Sequence, residues 1–216
     1  MSRFPQRTAS ALVIVDAQQH FAEQIPGSVN TLVVMADLVA RARLAAVPVI
    51  WLRRVDAALR VGEPGWQLAD ELTPIPGETL IDHRWDDGFI DTDLAGELEA
   101  AEAGQLWLAG LGSDHGVVQT YLGAVHRGWD VTLIEDAHLA APARFDDCDF
   151  SGRQLAAFVN RMVWLDLDPD VTGNLVAAAN VDFGSGDEPD DLDLISQAEQ
   201  DAEDDSDLGV EIPGQI

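Results

Sequence analysis

Gln105-Leu-Trp-Leu-Ala-Gly-Leu-Gly-Ser-Asp-His-Gly-Val-Val-Gln-Thr120 carries the clearest fold signal in the chain. It opens as a short apolar run, Leu106 to Ala109, and breaks at Gly110 and Gly112. It resumes at helical spacing, with Val117, Val118, Tyr121, Leu122 and Val125 apolar. That order is strand, glycine-bearing turn, helix. In open α/β sheets ligands sit at the carboxyl ends of strands, where a helix N-terminus offers free N–H groups and partial positive charge. Ser113 is the expected N-cap. Gly116 falls in the first helical turn, where glycine costs about 1 kcal/mol against alanine. Either a neighbour needs the space its side chain would fill, or the helix end simply tolerates glycine.

The same alternation recurs on both sides of this stretch. Ala11-Leu-Val-Ile-Val-Asp16 reads as a buried strand ending in a carboxylate. Val29 to Ala45 has helical periodicity, and Val47-Pro-Val-Ile-Trp-Leu52 is a second strand closed by Arg53 and Arg54. Residues 55–76 read as a long crossing segment with a turn of helix near Trp66 to Leu72. Thr79 to Asp82 is a third strand, and Asp93 to Ala103 a helix with Thr92 as N-cap. After the opening stretch come a fifth strand, Trp129 to Glu135, a loop from His138 to Phe150, and a helix from Arg153 to Met162. An edge strand is expected at Val163 to Asp166 and a last short helix at Pro169 to Ala179. Strand and helix in alternation predict an α/β fold, a three-layer sandwich around a doubly wound parallel sheet of about six strands.

Composition bounds the function. The chain has 216 residues, is 47% hydrophobic and carries a net charge of −27, with no lysine. Residues 1–181 hold 26 acids against 12 arginines, and residues 182–216 hold 13 acids and no basic residue. A globular domain over 1–181 and an acidic, solvated tail over 182–216 are therefore expected. Phosphate-led binding to nucleic acid is disfavoured. No apolar run is long enough for a membrane span, and the N-terminus lacks the apolar core of a signal peptide, which points to the cytoplasm. A single cysteine, Cys148, excludes an intrachain disulfide and a cysteine-rich zinc site. The apolar end Leu208 to Ile216, after an acidic spacer, is a candidate docking segment for a protein partner.

Four pieces stand in order: Leu-Val-Ile-Val-Asp16-Ala-Gln18-Gln-His-Phe21, His83-Arg-Trp-Asp-Asp-Gly-Phe89, Ala109-Gly-Leu-Gly-Ser-Asp114-His-Gly116-Val-Val, and Gly128-Trp-Asp-Val-Thr-Leu-Ile-Glu-Asp136-Ala137. As an ordered set over about residues 10–166 they resemble the isochorismatase-like hydrolase superfamily. The resemblance implies a six-stranded parallel sheet and a homo-oligomer. Its amidase members use an Asp–Lys–Cys triad. Asp16 matches the Asp, His83 stands at the Lys position, and Gly116 stands at the Cys position. The resemblance implies no cofactor, and the Asp-x-His of metal-bearing members is replaced by Arg53-Arg-Val-Asp. Isochorismatases resemble this chain in carrying glycine at the cysteine position. Their Asp is proposed to act as a general acid on an enol ether.

Those implications set the expected site. Asp16 leads acid–base chemistry, and His83 orients it as a cation that titrates near neutrality. Gln18, Phe21, Trp85, Gly112, Ser113 and His115 are expected around a small polar or anionic substrate. Arg53 and Arg54 are candidates to receive a substrate carboxylate, or else to pair with acids. The turn at 112–116 is expected to keep an anion-binding backbone without a thiol. The rival reading is a family member without turnover that binds a small molecule or protein through its pocket or tail.

Overall fold

A computed structural model describes residues 3–165 and 173–184. The chain runs β1 (Ala9–Val15), α1 (Gln19–Gln24), α2 (Ser28–Leu44), β2 (Val49–Arg54), β3 (Thr79–His83), α3 (Leu94–Ala100) and β4 (Ala103–Leu111). It continues through a wide π-turn (Ser113–Val117), α4 (Val118–Arg127), β5 (Asp130–Leu139), a hairpin of β6 (Ala143–Phe145) and β7 (Cys148–Phe150), α5 (Gly152–Leu165) and β8 (Gly173–Val176).

Six strands form one parallel sheet in the order β3-β2-β1-β4-β5-β8. The chain builds outward from β1 in one direction, then restarts at β4 on its other side. The switch point therefore lies between the carboxyl ends of β1 and β4, where a crevice opens in such sheets. Strand alternation splits the core in two. Leu12 and Ile14 join Leu32, Met35, Leu38 and Val39 of α2 on one face. Val13 and Val15 join Leu94 and Leu98 of α3, and Val118, Tyr121 and Val125 of α4, on the other. Each fully buried Leu or Ile contributes roughly 1.5–3 kcal/mol.

The structure corrects several expected elements. Val163 to Leu165 belong to α5, because Ala156, Val159 and Val163 bury one helical stripe. The sixth strand is β8 instead, and the described part of the expected last helix is β8 followed by a 3-10 turn at Ala178–Asn180. Residues 169–172 of that helix lie outside the described residues. The expected helix at Trp66 to Leu72 is a single 3-10 turn, Pro64–Trp66. The loop at 138–150 holds the end of β5 and the β6–β7 hairpin. Ser113 is not an N-cap: Gly112 takes that place with φ 74, a left-handed conformation that suits glycine. Thr92 is not the cap of α3 either, where Asp93 stands.

Phe183 packs edge-on against Trp107, with ring centroids 5.6 Å apart, so the packed body reaches Phe183. The acidic tail beyond Gly184, with its apolar end, lies outside the described residues. Among the described residues no helix is long and apolar enough to cross a membrane.

Gly110 ties β4 to β1. A Cβ there would sit 2.2 Å from the Val15 carbonyl oxygen, in the sheet itself, where nothing can swing aside. Gly110→Ala is expected to lower stability by about 1–3 kcal/mol or more, measured as a shift in the urea midpoint at unchanged slope. A midpoint equal to that of the parent protein would show that the two strands can separate there freely.

Candidate active site

Asp16 immediately follows β1 and has φ 51, an unusual conformation for a residue other than glycine. Strain of this kind costs of order 1–3 kcal/mol and gathers at functional positions. The turn tucks the carboxylate inward, so that Asp16 is only 3% exposed. His83 ends β3, two strands away, and is equally buried. The strand between them holds both: the Asp16 N–H donates to Leu52 O at 2.9 Å, and the Val55 N–H donates to His83 O at 2.8 Å.

The His83 ring then reaches Asp16. Its Nε2 lies 2.7 Å from Asp16 Oδ1, and its Nδ1 lies 2.7 Å from the Trp85 carbonyl oxygen. A carbonyl only accepts, so Nδ1 must carry a hydrogen. The Nε2···Oδ1 contact then needs a second proton, held either by the imidazole or by the carboxyl. Burial opposes charging His83, but the hydrogen bond and charge of Asp16, helped by the Trp85 carbonyl, win and raise its pKa above the ordinary value. The raised pKa favours the second proton on His83, which makes the pair an imidazolium–carboxylate whenever His83 is charged.

Arg54, the last residue of β2, stands beside the same carboxylate, with Nε 3.6 Å from Asp16 Oδ2. Its Nη2 also pairs with Asp86. Burial works against its charge, but Asp16 and then Asp86 more than compensate, so its pKa is raised. Arg53 points the other way, as strand alternation requires. It stacks 3.9 Å from the Trp66 ring and pairs with Asp82 at 3.0 Å. Of the two arginines, only Arg54 lines the cavity.

The π-turn after β4 closes the site from the opposite side. A Cβ on Gly116 would lie 2.5 Å from Asp16 Oδ2 and 3.1 Å from a Val15 methyl. The missing side chain thus leaves room that the Asp16 carboxylate uses, which answers the question the sequence left open. The anion-binding backbone is smaller than expected: the N–H groups of His115 and Val117 both turn onto Gly112 O, at 3.0 and 3.3 Å.

Ser113 faces away into the interior. Its Oγ lies 2.8 Å from His138 Nδ1, and His138 Nε2 lies 2.7 Å from Asn160 Oδ1. Asn160 Nδ2 donates to Glu135 O, which fixes its amide so that Oδ1 accepts. His138 must therefore carry its proton on Nε2, and Ser113 must donate to Nδ1. Burial lowers the His138 pKa, outweighing Asn160 and Asp136, and keeps the ring neutral. This chain braces the turn from behind. Sequence reading missed it, because residues 25 apart carry no local signal.

Between these walls lies a cavity of about 430 Å³. Phe21, Gly112 and His115 line it beside Asp16 and Arg54, together with Leu59 and Pro142. Gln18 is not among the lining residues. It is fully buried, and its amide brackets Arg54, accepting from its N–H at 2.7 Å and donating to Arg54 O and Trp66 O. Trp85 contributes its carbonyl, while its exposed indole donates to Asp91. Cys148 is exposed on β7 and does not line the cavity.

Residues 10–162 match the isochorismatase domain. The chain belongs to the isochorismatase family. A secreted isochorismatase effector of Verticillium dahliae is 31% identical over 179 residues, covering 80% of this chain and 90% of that protein. A streptothricin hydrolase of Streptomyces noursei is 37% identical over 134 residues, 59% of this chain. The chain spans about half the length of that relative, 49%. A cysteine hydrolase from Pseudomonas syringae shares the fold, with TM-score 0.74 at 20% identity over 83% of this isochorismatase-family chain and 93% of its own.

The two buried histidines are expected to titrate on opposite sides of the ordinary value of about 6.5. His83, raised, contributes stability that is fully present below about pH 6.5 and fades as pH rises through its folded value. His138, lowered, contributes stability present above about 6.5 and lost as pH falls through its folded value. Long-range ¹H–¹⁵N spectra across pH will report both, and Asp16→Asn is expected to drop the His83 value. A His83 titration unmoved by that change would remove the assigned pair.

Proposed function

We propose that this isochorismatase-family protein is a hydrolase of small polar molecules that works through Asp16 and water, without a cysteine nucleophile. The observation that carries the reading is the Asp16–His83 contact at 2.7 Å, with the second imidazole nitrogen committed to Trp85 O. It supports a carboxylate whose Oδ1 is held while Oδ2 remains the reactive oxygen beside the cavity. In the hydrolytic step, Oδ2 takes a proton from water as the water oxygen bonds to the scissile carbon. The same proton passes to the leaving atom as the bond to that atom breaks, so the protein returns to its starting state. His83 and Arg54 hold the carboxylate in place through both transfers. A nucleophilic thiol has no place in this scheme, because position 116 is glycine and Cys148 lies outside the cavity.

The proposal is tested by screening the full chain on isochorismate, on a panel of carboxamides and on streptothricin, the compound in the name of a relative. Asp16→Asn is expected to lower turnover by at least about 10²-fold, the lower range for a lost general acid–base group. Alkylation of Cys148 is expected to leave turnover unchanged. Activity that survives Asp16→Asn, or that disappears on alkylation, would sink the mechanism. The absence of turnover on every compound in the panel would favour the rival, a binding module.

A further inference from the structure

The charge of the cavity wall narrows what it receives. Asp16 is matched by His83, and Arg54 is matched by Asp16 and Asp86. No guanidinium or ammonium remains for a substrate carboxylate among the described lining residues, since Arg53 lies elsewhere, against Asp82 and Trp66. Two further carboxylates, Asp56 and Asp114, line the same cavity. Asp56 is exposed and firmly placed: its Oδ1 accepts the N–H groups of Ala58 and Leu59 at 2.7 and 2.9 Å. Among the described residues Asp114 pairs with His115, at 3.1 Å, and that ring is 67% exposed. The wall also carries the apolar Phe21, Ile25 and Leu59, and His20 and Gln24, whose side chains meet each other at 3.0 Å.

We propose that the cavity is specific for an organic cation, an amine- or amidine-bearing molecule whose charged end meets Asp56 and Asp114 while its apolar part lies against Phe21 and Leu59, and that it rejects carboxylates. This rests on the proposed hydrolytic role of the same site and names the substrate class for it. The charge balance explains the selection. An entering anion would meet unmatched carboxylates and find Arg54 already held on two sides. An entering cation would take up the charge of the two rim acids and stack its body on the apolar wall. The net charge of −27 over the chain acts in the same direction at a distance, drawing cations to the surface.

Binding without turnover tests this. Benzylamine, benzyl alcohol and phenylacetate are near-matched in shape and differ in charge. Titration of the full chain with each, followed by calorimetry and by the His115 ring resonances, is expected to show benzylamine binding at least about tenfold more tightly than phenylacetate at low salt, with the preference shrinking as salt is raised. The double variant Asp56→Asn, Asp114→Asn is expected to erase the preference, and an asparagine at 56 still accepts from Ala58 and Leu59. Tighter binding of phenylacetate, no preference among the three probes, or a preference that survives in the double variant overturns the inference. The parent protein separates the two proposals: if it shows the amine preference and turns over no amide, the cation specificity stands and the hydrolytic reading falls.

Discussion

One hydrogen bond, between His83 and Asp16, spans the ends of three strands, and the rest of the site is arranged to keep it. Both partners are buried, so neither ionises cheaply alone; removing one partner of such a pair costs about 3–5 kcal/mol through the charge left behind. The sheet order makes the bond possible. β2 lies between β1 and β3; its Leu52 accepts from Asp16, and Val55, just past its end, donates to His83 through the backbone. Gln18 then grips both backbone groups of Arg54 and ties the strand end to Trp66. A carboxylate in a left-handed turn would otherwise be free to rotate. Here three strand ends and a buried amide remove that freedom.

Much of the fold was legible because parallel strands buried on both faces read as unbroken apolar runs. Leu12 to Val15 and Leu106 to Ala109 are such runs, each ending where the chain changes chemistry, at Asp16 or at the glycines. The last strand was not legible. Gly173-Asn-Leu-Val176 is short and opens with two residues that avoid strands, whereas Val163-Trp-Leu looks like a strand and is the end of a helical stripe. Within the site, Asp16 and His83 could be named from sequence because a family resemblance set them in order. The choice between Arg53 and Arg54 could not, since neighbouring strand residues face opposite ways and only the finished sheet says which face is the cavity. Ser113 shows the same limit from another side. Its partner His138 lies across an irregularity in the β4–β5 pairing, where Leu108 pairs with Leu133 and Gly110 with His138.

The two histidines illustrate how burial alone does not decide charge. His83 is buried beside a carboxylate and gains a proton; His138 is buried beside a serine and an asparagine and stays neutral. Each ring is oriented by a partner whose donor or acceptor role admits no exchange, a backbone carbonyl in one case and a backbone-anchored amide in the other. The first faces the cavity side of the π-turn and the second its rear. The turn that carries Gly116 is thus held from both directions, through Asp16 in front and Ser113 behind.

Gly116 also couples the turn to the carboxylate. The space where a Cβ would sit is already bounded by Asp16 Oδ2 at 2.5 Å. A side chain at this position requires the Asp16 carboxylate to shift, and Oδ1 of the same carboxylate is the atom that meets His83. The glycine therefore makes positions 16, 83 and 116 one mechanical unit: whatever is placed at 116 is felt at the contact between Asp16 and His83.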